Sequence, residues 1–165
     1  GQNILAPKLE ARLLQEAAVI GNEQVLEIGA GSGYMAALLS RHGRHVVTVE
    51  IEPELQKLAE ANLKAYGISN VTVALGDAAR GWAGSGSHAA PYDVIIVSGS
   101  LPMLPPSLLE QVKVGGRLLA IVGEAPVMEA CLVKRTAADA WDTVTLFETS
   151  ARPLRNAESP SAFHF

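Results

Sequence analysis

Glycines at positions 29, 31 and 33 follow the apolar run Val25-Leu26-Glu27-Ile28, and a second acid, Glu50, closes the apolar run Val46-Val47-Thr48-Val49. Glycine lets the chain turn sharply and lets a ligand approach the backbone. An acid about 20 residues beyond such a turn can accept hydrogen bonds from ribose hydroxyls. Together these residues have the chemistry of a nucleoside site in a strand–turn–helix–strand unit. A glycine turn that merely closed a strand–helix connection would leave Glu50 unexplained.

The spacing selects among nucleosides. Dinucleotide folds favour G-x-G-x-x-G, in which the third glycine packs helix against strand. Here Gly29-Ala30-Gly31-Ser32-Gly33 reads G-x-G-x-G, and Tyr34 stands at the later third-glycine position. Glu27, just ahead of the turn, would repel a pyrophosphate and suits a cation. S-adenosylmethionine carries an ammonium, a sulfonium and an adenosine but no phosphate. It is the expected cofactor, with S-adenosylhomocysteine as its product; a dinucleotide is the alternative. Gly76-Asp77-Ala78 follows the strand-like residues 71–75. There Asp77 can accept a hydrogen bond from the adenine amino group while backbone groups read the ring edge. Ser98, with Gly99 and Ser100, is expected in a loop after a fourth strand, lining the same crevice.

These residues need alternating helices and strands to position them. Pro7 fits a helix start, with Leu9, Leu13, Leu14 and Ala17 on one face. Strands are expected at residues 23–28 and 46–49, with a helix over 34–41 between them. Pro53 opens a helix to about Tyr66 that turns Leu55, Leu58, Ala59, Leu63 and Tyr66 to one side and stops at Gly67. Residues 71–75 read as the third strand, 82–91 as a loop, and 92–97 as a strand buried on both faces. Pro102, Pro105 and Pro106 mark a loop in which Ser107 would cap a short helix. Gly115-Gly116 would turn into a fifth strand over 117–122. Residues 130–135 and 141–147 are strand-like, and their short link suits an antiparallel hairpin. The tail from Arg152 to Phe165 is expected to pack on the domain.

Composition narrows the function classes. The chain has 165 residues, 48% of them hydrophobic, which fits a single domain over residues 1–165 with a full core. A formal net charge of -4 and 5% aromatic residues argue against a nucleic-acid partner. Arg41, Arg44 and His45 read as a solvated helix end. One cysteine, Cys131, excludes an internal disulfide and fits a reducing, cytoplasmic compartment. No apolar run reaches membrane-spanning length, so no membrane partner is expected. No signal peptide is visible, and the chain opens at Gly1 rather than Met, so preceding residues are expected. His42, His45, His88 and His164 show no metal-ligand spacing; each is expected in solvent and no metal is expected. No G-x-S-x-G elbow supports a serine nucleophile. Trp82 and Trp141 read as packing groups.

Several motifs together resemble the protein-L-isoaspartate O-methyltransferase family. They are the run from Val25 to Tyr34, Val49-Glu50, Gly76-Asp77 followed by Gly81-Trp82, Tyr92-Asp93-Val94-Ile95-Ile96-Val97, and Gly115-Gly116-Arg117-Leu118. The opening Gly1-Gln2-Asn3-Ile4-Leu5-Ala6-Pro7 is similar to the family's G-Q-x-I-S-A-P. The resemblance implies an α/β fold of the Rossmann-like S-adenosylmethionine-dependent methyltransferase type. Its sheet would be mostly parallel and seven-stranded, with a C-terminal antiparallel hairpin. It also implies methyl transfer to carboxylates of damaged aspartyl residues in proteins or peptides. Glu27 and residues 29–33 would then hold the methionine end and Glu50 the ribose. Ile51 would lie against the adenine, and Gly76, Asp77 and Ala78 would read it. Ile4, Leu5, Pro7 and Glu10 would cover the methyl-transfer crevice.

One departure bears on the acceptor. Leu5 stands at the family's active-site serine position, and leucine cannot donate a hydrogen bond to a substrate carboxylate. Glu10 would add negative charge near an anionic acceptor if it faced the cleft. The cofactor half of the pattern is intact and the acceptor half is altered, so no catalytic residue is assigned. A carboxylate acceptor is already ionised at neutral pH and needs no general base. An alcohol, amine or phenol acceptor would usually need one, and no convincing base is visible. Three classes remain: the isoaspartyl enzyme, a paralogue with another small acceptor, and a noncatalytic S-adenosylmethionine-binding module.

Overall fold

The computed structural model describes residues 6–157. Its elements in chain order are α1 (Pro7–Ala17), β1 (Gln24–Ile28), α2 (Tyr34–Ser40), β2 (His45–Glu50), α3 (Pro53–Ala65), β3 (Val71–Leu75), β4 (Tyr92–Leu101), α4 (Pro106–Leu109), β5 (Val112–Glu124), β6 (Val127–Ala137) and β7 (Ala140–Thr149). The strands form one seven-stranded sheet in the order β3-β2-β1-β4-β5-β6-β7. The first five strands pair in parallel; β6 and β7 complete an antiparallel meander on β5. The fold is the Rossmann-like arrangement expected from the motifs.

Period-2 alternation within continuous apolar runs builds a core on each face. Val25, Val46, Ile96 and Leu119 pack with Leu9, Leu13, Met35 and Leu39 of α1 and α2. Their neighbours Leu26, Val47, Ile95 and Leu118 pack on the other face with Tyr92 and Leu108. Each such side chain contributes on the order of 1.5–3 kcal/mol by leaving water. Chain order reverses between β1 and β4, and a crevice opens there at the carboxyl ends of the strands.

Local signals explain most element ends. After α3, the Ile68 N–H donates to Leu63 O and the Gly67 N–H to Lys64 O, each at 3.0 Å. That is a Schellman cap, and Gly67 supplies its left-handed residue. Other details differ from the sequence reading. Leu58 and Tyr66 stay exposed on α3, where Ala59 and Leu63 are the buried residues. Ser107 lies inside α4 and donates its hydroxyl to Arg80 O at 2.6 Å instead of capping the helix. Gly115 and Gly116 sit within β5 at a register shift, because a Cβ on Gly116 would fall 2.6 Å from Asp93 O. Ser98, Gly99 and Ser100 are not a loop. They continue β4, which pairs Ser100 with Ile121 and Leu101 with Val122 after a second register shift.

Candidate active site

The turn after β1 uses backbone conformations that side chains resist. Gly29, Gly31 and Gly33 have φ of 94°, 53° and 87°, where a Cβ is costly. The Gly29 N–H donates to Val49 O at 2.8 Å, tying the turn to the end of β2. Asn62 of α3 donates its side-chain amide to Ser32 O at 2.8 Å from the other side. Gly33 is crowded as well: a Cβ there would meet Ala59 O and Leu63 Cγ at 3.3 Å.

Glu50 is fixed across this turn. Its Oε1 accepts from the Gly31 N–H at 3.1 Å and its Oε2 from the Glu52 N–H at 3.0 Å. The residue is 1% exposed. A carboxylate oxygen accepts more than one hydrogen bond, so this group retains capacity for a ribose diol.

Glu27 lies deeper. It is fully buried, with Oε1 accepting from Thr48 Oγ1 at 2.7 Å and Oε2 from Ser98 Oγ at 2.8 Å. Burial pushes its pKa up to about 8; the two hydroxyls oppose the rise and the charges of Glu10 and Glu50 add to it. The group therefore holds its proton at neutral pH, and a nearby cation would restore its charge. Glu10 on α1 is itself buried, and burial holds its carboxyl above the ordinary range. Pro7 is exposed at the start of α1, and Ala6 lines a cavity described below. Ile4 and Leu5 lie outside the described residues.

Asp77 stands in the turn after β3. Its Oδ1 accepts from the Ala79 N–H at 3.0 Å, while its Oδ2 accepts from Asn156 Nδ2 at 3.1 Å. Trp82 backs this turn so closely that a Cβ on Gly76 would fall 2.5 Å from its ring. The indole is thus a packing group, as is Trp141, whose Nε1–H donates to Leu109 O at 3.1 Å.

Gly29, Glu50, Ile51, Gly76, Asp77 and Ala78 line one slot, together with Ile28 and Val49. Leu154 and Arg155 also line it, and its free volume is about 20 Å³. On the other side of Leu154 a cavity of about 760 Å³ opens against Ala6, Ser100, Gly123, Glu124, Met128 and Arg152. The Glu50 and Asp77 carboxylates are acceptors of the type that hydroxyls and an amino group can donate to, while the N–H groups of Gly29, Gly31 and Gly76 are committed to Val49 O, Glu50 Oε1 and Glu50 O. Ala30, Gly31, Ser32 and Gly33 form the adjoining turn and do not line the slot itself. Ser98 is 4% exposed and its hydroxyl is committed to Glu27.

Sequence reasoning missed Thr48 and Asn62, and it expected the tail from Arg152 to pack on the domain without placing residues 152–156 beside the slot. A hydroxyl within the apolar β2 run was the visible signal for Thr48; the others are brought in by tertiary contacts. The histidines also differ from expectation. His45 and His88 are half-buried and stack with ring centroids 3.6 Å apart. Burial, His88 and Arg44 together lower the His45 pKa. His42 is exposed, and His164 lies outside the described residues. Among the described residues no cluster of three or more His, Cys, Asp or Glu could hold a metal ion.

Comparison with known proteins gives a consistent family. The family model described as protein-L-isoaspartate(D-aspartate) O-methyltransferase matches residues 1–154. A protein-L-isoaspartate O-methyltransferase of Protochlamydia amoebophila is 46% identical over 123 residues, covering 74% of this chain and 57% of that protein. One of Koribacter versatilis is 38% identical over 154 residues, covering 93% of this chain and 67% of that protein. A solved protein-L-isoaspartate O-methyltransferase superposes with a TM-score of 0.80 at 29% identity, covering 93% of this chain and 48% of the other. A Plasmodium falciparum structure described as a complex with S-adenosyl-L-homocysteine shares the fold, with a TM-score of 0.74 at 19% identity over 92% of this chain and 75% of that one. The chain thus spans 57% and 67% of the length of the two curated relatives.

Proposed function

The chain belongs to the protein-L-isoaspartate(D-aspartate) O-methyltransferase family, and from that premise we propose that it transfers a methyl group from S-adenosylmethionine to a carboxylate of damaged aspartyl residues in proteins or peptides. The observation that carries this reading is the slot in which Glu50, Ile51, Gly76, Asp77 and Ala78 converge. Its carboxylate acceptors suit the hydroxyls and amino group of an adenosine, and residues 29–33 include no lysine or arginine for a pyrophosphate.

When bound, S-adenosylmethionine would supply an electrophilic methyl group for an acceptor carboxylate oxygen, its sulfur keeping the bonding pair as the leaving group. The protein's own groups bind and orient. Glu50 would take the ribose hydroxyls, and Asp77 with the Ala78 backbone would read the adenine, against Ile51. Residues 29–33 would let the methionine end approach the backbone, with Glu27 beneath it, held by Thr48 and Ser98. No side chain has to remove a proton from a carboxylate acceptor. The chain's task is then alignment and exclusion of water. The cavity beside Ser100 and Met128 is the space proposed for the acceptor. Ala6 and residues near it would form its cover.

A cytoplasmic site of action belongs to this reading. Among the described residues no helix is long and apolar enough to cross a membrane. A second reading, a paralogue with a different acceptor, draws on Leu5 and on the buried Glu10, whose carboxylate would repel an anionic substrate. Labelled methyl transfer to an isoaspartyl peptide, against the matching aspartyl peptide, separates the two. Selective labelling of the isoaspartyl peptide is expected. Cofactor binding without such transfer would reject the repair assignment.

A further inference from the structure

The turn after β3 is held from the far edge of the sheet. Residues 76–82 leave β3 at its carboxyl end, where Gly76, Asp77 and Ala78 line the slot. The turn closes on itself: the Ala79 N–H donates to Asp77 Oδ1 and the Gly81 N–H to Ala78 O, each at 3.0 Å. These bonds set its shape. Its place against the sheet depends on Trp82, whose ring lies where a Cβ on Gly76 would be only 2.5 Å away.

Both backbone polar groups of Trp82 are bonded to other elements. Its N–H donates to Gln111 Oε1 at 2.7 Å, and its carbonyl accepts from the Tyr92 hydroxyl at 2.8 Å. Tyr92 opens β4 and is fully buried, and Gln111 directly precedes β5. The Tyr92 N–H donates to Gln111 O at 2.7 Å, so the three residues close a ring of hydrogen bonds. Gly81 makes room for this ring. Its φ is 117°, and a Cβ there would fall 2.6 Å from Gln111 Oε1. Without the carboxamide the Trp82 N–H must find another acceptor, and the indole moves with its backbone.

We propose that Gln111 is a positioning residue for base recognition: through the Trp82 N–H it sets the indole behind Gly76, and the indole sets where Asp77 and Ala78 meet the adenine. The proposal rests on the reading of the slot as an S-adenosylmethionine site. Gln111 stands at the amino-terminal edge of the sheet, opposite the slot, and acts on the ligand only through Trp82. Its effect falls on specificity. A hydrogen bond from the adenine amino group to Asp77 weakens steeply beyond roughly 3.2 Å, so a small drift of the turn erases the preference for that group. Glu50 has separate supports in the Gly31 and Glu52 N–H groups, and the ribose end is indifferent to Gln111.

The test is calorimetric titration of S-adenosylhomocysteine and of S-inosylhomocysteine, in which an oxo group replaces the adenine amino group. The proteins are the wild type, Gln111→Ala, Gln111→Glu and Tyr92→Phe, with circular dichroism to check each fold. The wild type is expected to prefer the adenine compound by about tenfold. Gln111→Ala should lose most of that preference, while Gln111→Glu keeps an acceptor oxygen at the same reach and should retain it. Tyr92→Phe removes the other bond to Trp82 and should lower the preference as well; it decides the matter if Gln111→Ala does not fold. A Gln111→Ala variant that keeps the full preference, even while binding both compounds more weakly, has lost only a structural support and overturns the proposal. So does a Gln111→Glu variant that loses as much as Gln111→Ala, or a folded Tyr92→Phe variant with the wild-type preference. A wild type that binds both compounds alike rejects the amino-group reading and the positioning role together. A wild type that binds neither rejects the cofactor site itself, a failure distinct from the others.

Discussion

The two halves of the sheet are secured differently. In the parallel half all of β1 is buried, and the turn it feeds is bonded to the ends of β2 and α3. In the antiparallel half β7 is largely exposed, with Val144 at 51%. The parallel half carries the buried carboxyl groups of Glu27 and Glu50 toward the ends of β1 and β2. The larger cavity, lined in part by Gly123, Glu124 and Met128, lies toward the other half.

The largest effect should come from cutting a tie inside the parallel half, where Arg117 holds β5 to the chain between α1 and β1. Arg117 of β5 forms a two-pronged pair with Glu23, both contacts at 2.8 Å, and also donates to Ala17 O and Ala18 O. Burial pushes the Glu23 carboxyl up, but Arg117 and the Ile20 amide outweigh it and leave it below the usual range. Arg117→Met leaves that acid unpaired and should cost about 3 kcal/mol in urea unfolding. An unchanged midpoint would show that β5 is held by sheet pairing alone.

Within the same half, Glu50→Ala should weaken S-adenosylhomocysteine binding by about 1.5–3 kcal/mol, the range for hydrogen bonds to a charged group. Unchanged calorimetric affinity would remove Glu50 from the site.

Glu27 gives that half a pH signature. Its native pKa of about 8 lies above the ordinary 4.5, so the folded state binds more protons than the unfolded between these values. Stability of the ligand-free protein should fall as pH rises through that window, by about 2 kcal/mol between pH 6 and 8. Glu27→Gln should flatten the slope. A wild type whose unfolding free energy holds steady from pH 6 to 8 would contradict the assignment.

The smallest effect belongs to the exposed edge. Val144→Thr on β7 should change stability by no more than about 0.5 kcal/mol. A larger loss would mean that this face is covered in solution.

The features that were legible in the sequence are local ones. The glycine turn, Glu50 and Asp77 announce themselves by residue type and spacing, since left-handed backbone and strand-end acids are short-range requirements. Gly67 marked the end of α3 for the same reason. Features set by distant pairing were not legible. β4 continues through Ser98, Gly99 and Ser100 because β5 pairs with its far end, and small polar residues there otherwise look like a loop. His45 meets His88 only because the loop after β3 folds back over β2. Leu154 reads as one apolar residue in a polar tail until Ser100 draws it into the crevice.

A crystal structure of the S-adenosylhomocysteine complex tests the central claim most directly. The account predicts the ribose on Glu50 and the adenine beside Ile51 and Asp77. A ligand bound elsewhere, with Glu50 and Asp77 making no contact to it, would contradict it.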